Sequence, residues 1–86
     1  MRLEREDVAA IITRLKRANG HLASVIRMLE EGTECEDALL QLAAVSKAIN
    51  RGGFALVATG LQKCLAEGGT DSVDTQRLEK IFLSLA

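Results

Sequence analysis

Proline, tryptophan and tyrosine are missing from this chain of 86 residues, and phenylalanine occurs only twice. Without proline, no residue forbids a helix interior, and with so few aromatic side chains the chain lacks material that β-sheets favour. Leucine, alanine, isoleucine and valine supply most of the 48% of residues that are hydrophobic. We therefore predict a single all-α domain that spans residues 1–86.

Long apolar runs are also missing. No segment is long enough to span a membrane, and the N-terminal residues lack the charged and apolar regions of a signal peptide. We therefore expect a cytoplasmic protein without a membrane partner. A domain of this size covers only about 60–65% of its unfolded surface, so a few helices without aromatic bulk rarely bury a sufficient core alone. Association with further copies of the chain would supply the missing burial.

The spacing of apolar residues predicts a first helix from about Glu4 to Glu31. Its apolar residues step by three and four, as in an antiparallel bundle or a coiled coil. Gly32 is expected to end this helix, and Thr33 to begin the next one in a capping box with Glu36. The apolar residues of the first helix are Val8, Ile11, Leu15, Ala18, Leu22, Val25 and Leu29.

A second helix is expected to continue to about Leu65. Gly52 and Gly53 each cost about 1 kcal/mol in a helix interior and could instead form a turn. We favour a continuous helix, in which the paired glycines allow another helix to approach closely near a two-fold axis. Asp71 or Ser72 would cap a short third helix. The apolar stripe of the second helix includes Leu39, Leu42, Ile49 and Leu56.

Cysteine occurs at two positions, Cys35 and Cys64. On one continuous helix the two thiols would lie roughly 43 Å apart, too far for a disulfide or a shared metal ion. Two such helices packed antiparallel about a two-fold axis would place Cys35 of one chain beside Cys64 of the other. In a reducing compartment, such a pair is more typical of metal binding or redox chemistry than of a structural disulfide.

The net charge is only −1, but the acidic residues are confined to the predicted helix ends and turns. Neither Val8 to Leu29 nor Ala38 to Ala66 contains an acid. Basic helix faces of this kind suit a polyanion such as DNA, and they equally fit ordinary solvated faces. The basic residues of these two segments are Arg14, Lys16, Arg17, Arg27, Lys47, Arg51 and Lys63.

Five further motifs of the chain are RLKRANGH (14–21), RMLEEG (27–32), CED (35–37), QLAAV (41–45) and GLQKC (60–64). Together they resemble the CsoR/RcnR family of bacterial transcriptional repressors. The resemblance implies a subunit with two long antiparallel helices and a short C-terminal helix, which forms a dimer of dimers, that is, a homotetramer. It also implies operator DNA as the partner in the absence of inducer. The family's DNA-contacting positions correspond to Arg14, Lys16, Arg17 and Arg51, and its first and last sensor ligands to Cys35 and Cys64.

One ligand position departs from the family. Copper-sensing members have a histidine four residues before the second cysteine, where this chain has Gly60, and members that sense nickel, cobalt or zinc need that histidine too. The only histidine here, His21, stands where the family usually has glutamine. The remaining dithiol is similar to the CstR branch of persulfide sensors. In that branch one thiolate attacks sulfane sulfur, and the other resolves the product into a cross-link between subunits.

We therefore predict a repressor that senses persulfide or polysulfide through Cys35 and Cys64 of different chains and needs no cofactor. Two alternatives stay open, because copper(I) accepts two soft thiolates: copper(I) sensing by the same cysteines, and a bundle that stores copper(I) or zinc without binding DNA. An enzyme is not expected. No catalytic base stands at helical spacing from either cysteine, and no glycine-rich phosphate loop follows a strand.

Overall fold

The computed structural model describes residues 2–69 and 72–85. A 3₁₀ turn, Arg5–Asp7, precedes three α-helices: α1 (Ala9–Glu31), α2 (Cys35–Gly68) and α3 (Val73–Leu85). No strand occurs in these two ranges. Helix α1 packs against α2, and α2 packs against α3. The prediction of an all-α subunit with two long antiparallel helices and a short third one is confirmed.

Helix α1 begins five residues later than the predicted start at Glu4. The reason is a local capping box, in which the backbone N–H of Glu4 donates a hydrogen bond to Asp7 Oδ2 at 2.9 Å. This bond closes the 3₁₀ turn, and Val8 then departs from helical geometry with φ −123° and ψ 13°. The acidic residues at the N-terminus therefore form a separate turn instead of the first turn of α1.

The connection between α1 and α2 follows the prediction at one end only. Gly32 has φ 92°, a conformation that favours glycine, and α1 ends at the preceding residue as expected. The predicted capping box of Thr33 with Glu36 is wrong. Glu34 is extended and occupies the N-cap position, so α2 begins one residue later than that box requires and no side chain caps it.

The core between α1 and α2 repeats every seven residues, as the heptad spacing predicts. Glycine at position 52 lets the two helices approach closely, because a Cβ built there would lie 2.9 Å from Leu15 Cδ2. This close approach at Gly52 is made to α1 of the same chain, and the approach of a partner helix near a two-fold axis stays a prediction. The buried residues of this core are Ile11, Ala18 and Val25 on α1, and Ala38, Val45 and Gly52 on α2.

Helix α2 is continuous through Gly52 and Gly53, so the alternative of a turn at these glycines is wrong. The helix runs three residues past the predicted end and stops before Gly69, whose φ is 74°. Both cysteines therefore lie on one helix, as expected.

Helix α3 begins after Ser72, whose Oγ accepts a hydrogen bond from the backbone N–H of Thr75 at 3.1 Å. This bond confirms Ser72 as a cap, while Asp71 lies outside the described residues. The helix packs on α2 through an edge-to-face contact between Phe54 and Phe82, with ring centroids 5.5 Å apart and planes at 62°. Among the described residues, no helix is both long and apolar enough to cross a membrane.

The apolar stripe of α2 is left uncovered by the chain's own helices. Its members range from 39% exposed at Leu56 to 58% at Leu39. The chain measures 52 × 25 × 13 Å and exposes 6483 Å², whereas a folded monomer of its mass typically exposes about 5,000 Å². The excess of about 1,500 Å² is nearly twice the area of about 800 Å² that each partner buries in a standard protein interface.

Candidate sensor thiols and nucleic-acid interface

The two cysteines lie at opposite ends of α2. Cys35 is the first residue of the helix and is exposed, whereas Cys64 lies near its last turn and is only 2% exposed. Neither forms a disulfide. Because a helix rises about 1.5 Å per residue, the two residues are roughly 43 Å apart in one chain. The structure thus separates the two predicted sensor thiols within the subunit.

A single subunit does not offer a metal site in residues 2–69 and 72–85, since no three ligating side chains cluster there. One turn before Cys64, Gly60 is buried and brings no donor. His21 lies on α1, and its Nε2 is 2.6 Å from Gln41 Oε1 on α2. The donor set that the cysteines can supply is one soft sulfur from each end of α2. Two such sulfurs from different chains fit the linear coordination of copper(I) and do not fit the sites preferred by zinc or nickel.

An ion pair beside Cys64 was not anticipated from the sequence. Lys63 Nζ donates a hydrogen bond to Asp7 Oδ2 at 2.8 Å, with the two side chains 26% and 33% exposed. Hydrogen bonds from Lys63 and then from the Glu4 backbone hold the pKa of Asp7 below its ordinary value. The bond to Asp7 likewise raises the pKa of Lys63. The pair ties the 3₁₀ turn to the end of α2 that carries Cys64, across 56 positions of sequence. The sequence could have indicated this ion pair only if the antiparallel register of α1 and α2 had been known.

A basic cleft of about 380 Å³ lies between α1 and α2. Arg14, Arg17 and His21 line it from α1 and Arg51 lines it from α2, with two alanines between them. In the part of the chain that the structure describes, the ion pairs are Arg2 with Glu4 and Lys63 with Asp7. The three cleft arginines therefore have no carboxylate partner there, and their guanidinium groups are available to phosphate oxygens.

Three of the four predicted DNA-contacting residues thus share one cleft, and Lys16 does not. Each residue turns about 100° around a helix, so Arg14 and Arg17 lie on one face while Lys16 is rotated by about 200° from Arg14. The cleft adds His21, to which the sequence interpretation assigned no role. Its spacing of four from Arg17 is the signal that could have placed it there.

Comparison with known proteins supports the resemblance to a family of transcriptional repressors. A sequence profile for the family described as metal-sensitive transcriptional repressor matches residues 7–84. The copper-sensing transcriptional repressor CsoR of Mycobacterium ulcerans (strain Agy99) is 37% identical over 73 residues, which are 85% of this chain and 62% of that protein. The copper-sensing transcriptional repressor RicR of Mycobacterium tuberculosis (strain ATCC 25618 / H37Rv) is 37% identical over 60 residues, 65% of this chain and 62% of RicR.

A third relative, the uncharacterized protein YrkD of Bacillus subtilis (strain 168), is 40% identical over 58 residues, 67% of this chain and 92% of YrkD. The chain spans about three fifths of the length of the copper-sensing relatives that it matches. No solved structure matches the chain significantly. The family profile nevertheless covers α1, α2 and nearly all of α3. The chain therefore belongs to the CsoR/RcnR family of metal-sensitive transcriptional repressors, which are not enzymes.

Proposed function

We propose that this protein is an operator-binding repressor that is switched by a pair of thiols, Cys35 of one chain and Cys64 of another. The observation that carries the proposal is the position of the two cysteines at opposite ends of one continuous helix. A two-fold axis that crosses α2 near its middle brings each end of one helix to the opposite end of its partner. Each dimer then has two equivalent thiol pairs.

The exposed stripe of α2 supports the assembly that this site needs. Its leucines and isoleucine run along the same helix as the cysteines, and the chain exposes more surface than a stable monomer of its mass. Packing the stripe of one α2 against another would bury it. We propose a dimer built in this way and, following the family, a homotetramer of two such dimers.

Copper(I) is the effector that the relatives support. The similar proteins named CsoR and RicR are described as copper-sensing, and copper(I) is a soft ion that two thiolates bind in a linear arrangement. Cys35 and Cys64 would each supply one thiolate. Copper(I) bound by one cysteine from each chain would fix the relative orientation of the two subunits. DNA would be released if the basic clefts in that orientation no longer match the positions of the operator phosphates.

Reactive sulfur is a second candidate effector, and Gly60 is the observation that favours it. The cross-link needs two thiols and no third donor, so the missing side chain at position 60 costs the chemistry nothing. The exposed Cys35 thiolate would attack the outer sulfur of a persulfide, RSSH, and release RS⁻ as it becomes a cysteine persulfide. The thiolate of Cys64 from the partner would then attack the inner sulfur and expel HS⁻, which leaves a disulfide between chains.

Storage of metal without DNA binding is the remaining alternative, and the family match does not favour it. Salt dependence distinguishes the two roles, because DNA-bound arginines displace counterions from phosphates and a metal store does not. Arg17→Ala removes one such contact per subunit, hence two per dimer. We expect the slope of log affinity against log salt to fall by about 1.8 in magnitude. Arg77→Ala, on α3 and outside the cleft, is the matched control and should leave the slope unchanged.

A parallel titration separates the effectors. Reduced protein bound to a fluorescent duplex, selected from a random-sequence pool, is titrated with buffered copper(I) or with polysulfide while anisotropy reports DNA release. The copper proposal expects release at one copper(I) per subunit, with Cys35→Ser and Cys64→Ser each abolishing it. It also expects tighter copper(I) binding by Gly60→His, which adds a ligand one turn before Cys64.

If reactive sulfur is the effector, the same titration should give a different result. Polysulfide should release DNA and produce dimers on a non-reducing gel, whose linked residues mass spectrometry assigns to Cys35 and Cys64. The Cys64→Ser variant should retain a persulfide on Cys35 without the cross-link, because its resolving thiol is gone. Release by copper(I) alone would reject this candidate, and release by polysulfide alone would reject copper(I).

A further inference from the structure

The chain's only histidine lies in the basic cleft, where no assigned function uses it. His21 shares the cleft with Arg14 and Arg17 on its own helix and with Arg51 on α2. Its Nε2 is 2.6 Å from Gln41 Oε1. An amide oxygen only accepts hydrogen bonds, so the tautomer that satisfies this contact is the one with the proton on Nε2, which donates to Gln41 Oε1. This bond fixes the orientation of the ring between α1 and α2.

The Gln41 bond leaves Nδ1 as the ring's second polar atom. In neutral imidazole Nδ1 is then an acceptor, whose lone pair repels a phosphate oxygen. In imidazolium both nitrogens donate, and the ring adds a positive charge. Imidazole is also the side chain that gains or loses its proton between about pH 5 and 8 in ordinary surroundings. The protonation state of His21 therefore decides whether the ring opposes or binds a phosphate in this cleft.

The charges around the ring define the sign of the effect. The charged side chains that line the cleft are Arg14, Arg17 and Arg51, so the empty cleft carries positive charge. No carboxylate pairs with His21 in the described residues. The nearest acid along α2 is Asp37, one helical turn before Gln41, and it does not line the cleft. A bound DNA phosphate reverses this balance, because it neutralises the arginines and attracts the imidazolium.

We propose that His21 is a further DNA-contacting residue, whose imidazolium form is held by Gln41 through Nε2 and binds a DNA phosphate through Nδ1. The proposal rests on the proposed DNA binding and deepens it, since it makes operator binding take up a proton at each occupied cleft. Affinity for the operator then rises as the pH falls, independently of the thiols. The cleft is a site whose DNA affinity depends on pH, in addition to its switch by effector.

The test uses a fluorescent DNA duplex, selected from a random-sequence pool at neutral pH, and reduced full-length protein with a copper(I) chelator. Anisotropy gives the affinity of the wild type at pH 6, 7 and 8. We expect binding to be tighter at pH 6 than at pH 8 by about tenfold for each occupied cleft, the size of one charge-assisted hydrogen bond to phosphate, and hence by about a hundredfold for a dimer with two clefts on the DNA. The magnitude of the salt slope should increase in step, because an additional phosphate is neutralised at pH 6.

Two variants isolate the ring. His21→Gln keeps an amide that can bond to Gln41 but never gains a proton, so its affinity should match the wild type at pH 8 and vary little with pH. His21→Arg is charged throughout, so it should bind at pH 8 about as tightly as the wild type does at pH 6. Far-UV circular dichroism verifies that both variants remain helical. Any pH effect of the thiols is common to all three proteins and cancels in the comparison.

The outcomes separate this inference from the function on which it rests. Equal pH dependence in the wild type and His21→Gln, or a salt slope that does not change with pH, overturns the role of His21 and leaves the repressor proposal intact. Failure of the pool to yield any duplex that binds in a salt-dependent manner rejects DNA binding itself, and with it the proton uptake. Loss of the pH dependence in His21→Gln alone, with tight binding by His21→Arg at pH 8, supports the proposal.

Discussion

Two neighbouring glycines of α2 provide a matched test of how α1 and α2 pack. An alanine at either position gains helix propensity, about 1 kcal/mol over glycine. The surroundings differ. The added Cβ would meet Leu15 Cδ2 at 2.9 Å at position 52, but Leu85 Cδ1 at an ordinary 3.6 Å at position 53. We therefore expect Gly53→Ala to stabilise the protein and Gly52→Ala to fall short of it.

The expected difference follows from the cost of overpacking, about 1–3 kcal/mol for an inserted carbon in a packed interface. Leu15 is 38% exposed and the close atom is at the end of its side chain, so the lower part of that range applies. Gly52→Ala should then be about 1 kcal/mol less stable than Gly53→Ala. In a Leu15→Ala background the obstructing carbon is absent, and Gly52→Ala should recover the full gain in helix propensity.

Urea unfolding followed by far-UV circular dichroism measures these differences, with all variants at one protein concentration because the chain is expected to associate. Light scattering at that concentration checks that the assemblies are alike. Equal stability of Gly52→Ala and Gly53→Ala would refute the close approach of α1 to position 52. The same conclusion would follow if Leu15→Ala left the difference between the two alanines unchanged.

Three further predictions concern the ion pair of Asp7 with Lys63 and the contact of Phe54 with Phe82. The pKa of Asp7 is lowered by its hydrogen bonds from Lys63 and the backbone, so its contribution to stability is present above pH 3.8 and is lost as the pH falls below that value. Asp7→Asn should therefore flatten the loss of stability between about pH 5 and 2 in acid unfolding. An unchanged acid unfolding profile would contradict the pairing of Asp7 with Lys63. The pKa of Lys63 is raised by the same bond, so its contribution is present below pH 10.5 and is lost above it, a dependence that Lys63→Met should remove. Phe82→Ala deletes one ring of the contact with Phe54. It should lower the free energy of unfolding by about 2 kcal/mol, because both rings are partly exposed. Amide hydrogen exchange should then become faster mainly in α3, and a uniform increase along the chain would indicate that this contact does not hold α3 in place.

The sequence was most informative where a period continued over many residues. The seven-residue repeat of Ile11, Ala18 and Val25 predicts the α1–α2 core, because apolar residues recur on one face of the helix. This pattern does not depend on the exact residue at which the helix begins or ends. Local signals were less reliable. The Thr33 capping box had the right residue types, but the extended backbone at Glu34 decided where α2 begins. Backbone geometry of this kind depends on how the two helices are joined and is not encoded in the spacing of residues.

The sequence likewise predicts some features of the candidate site, while others depend on how the helices pack. The positions of Cys35 and Cys64 on one helix follow from counting residues, and so does the shared face of Arg14 and Arg17. The contacts of His21 with Gln41 and of Lys63 with Asp7 depend on the register between α1 and α2, which a single sequence does not fix to within one residue. In the proposed dimer the donors offered to the effector come from two chains, and their arrangement depends on the packing between subunits.

The length of α2 has a genetic consequence. If each thiol pair takes one cysteine from each of two chains, a cell that makes only Cys35→Ser or only Cys64→Ser has no intact pair. A cell that makes both variants would form mixed dimers, in which the remaining cysteine of one allele faces the remaining cysteine of the other. One of the two pairs is then whole, so two inactive alleles would complement each other and restore an inducible promoter. A site contained within one subunit would never show such complementation.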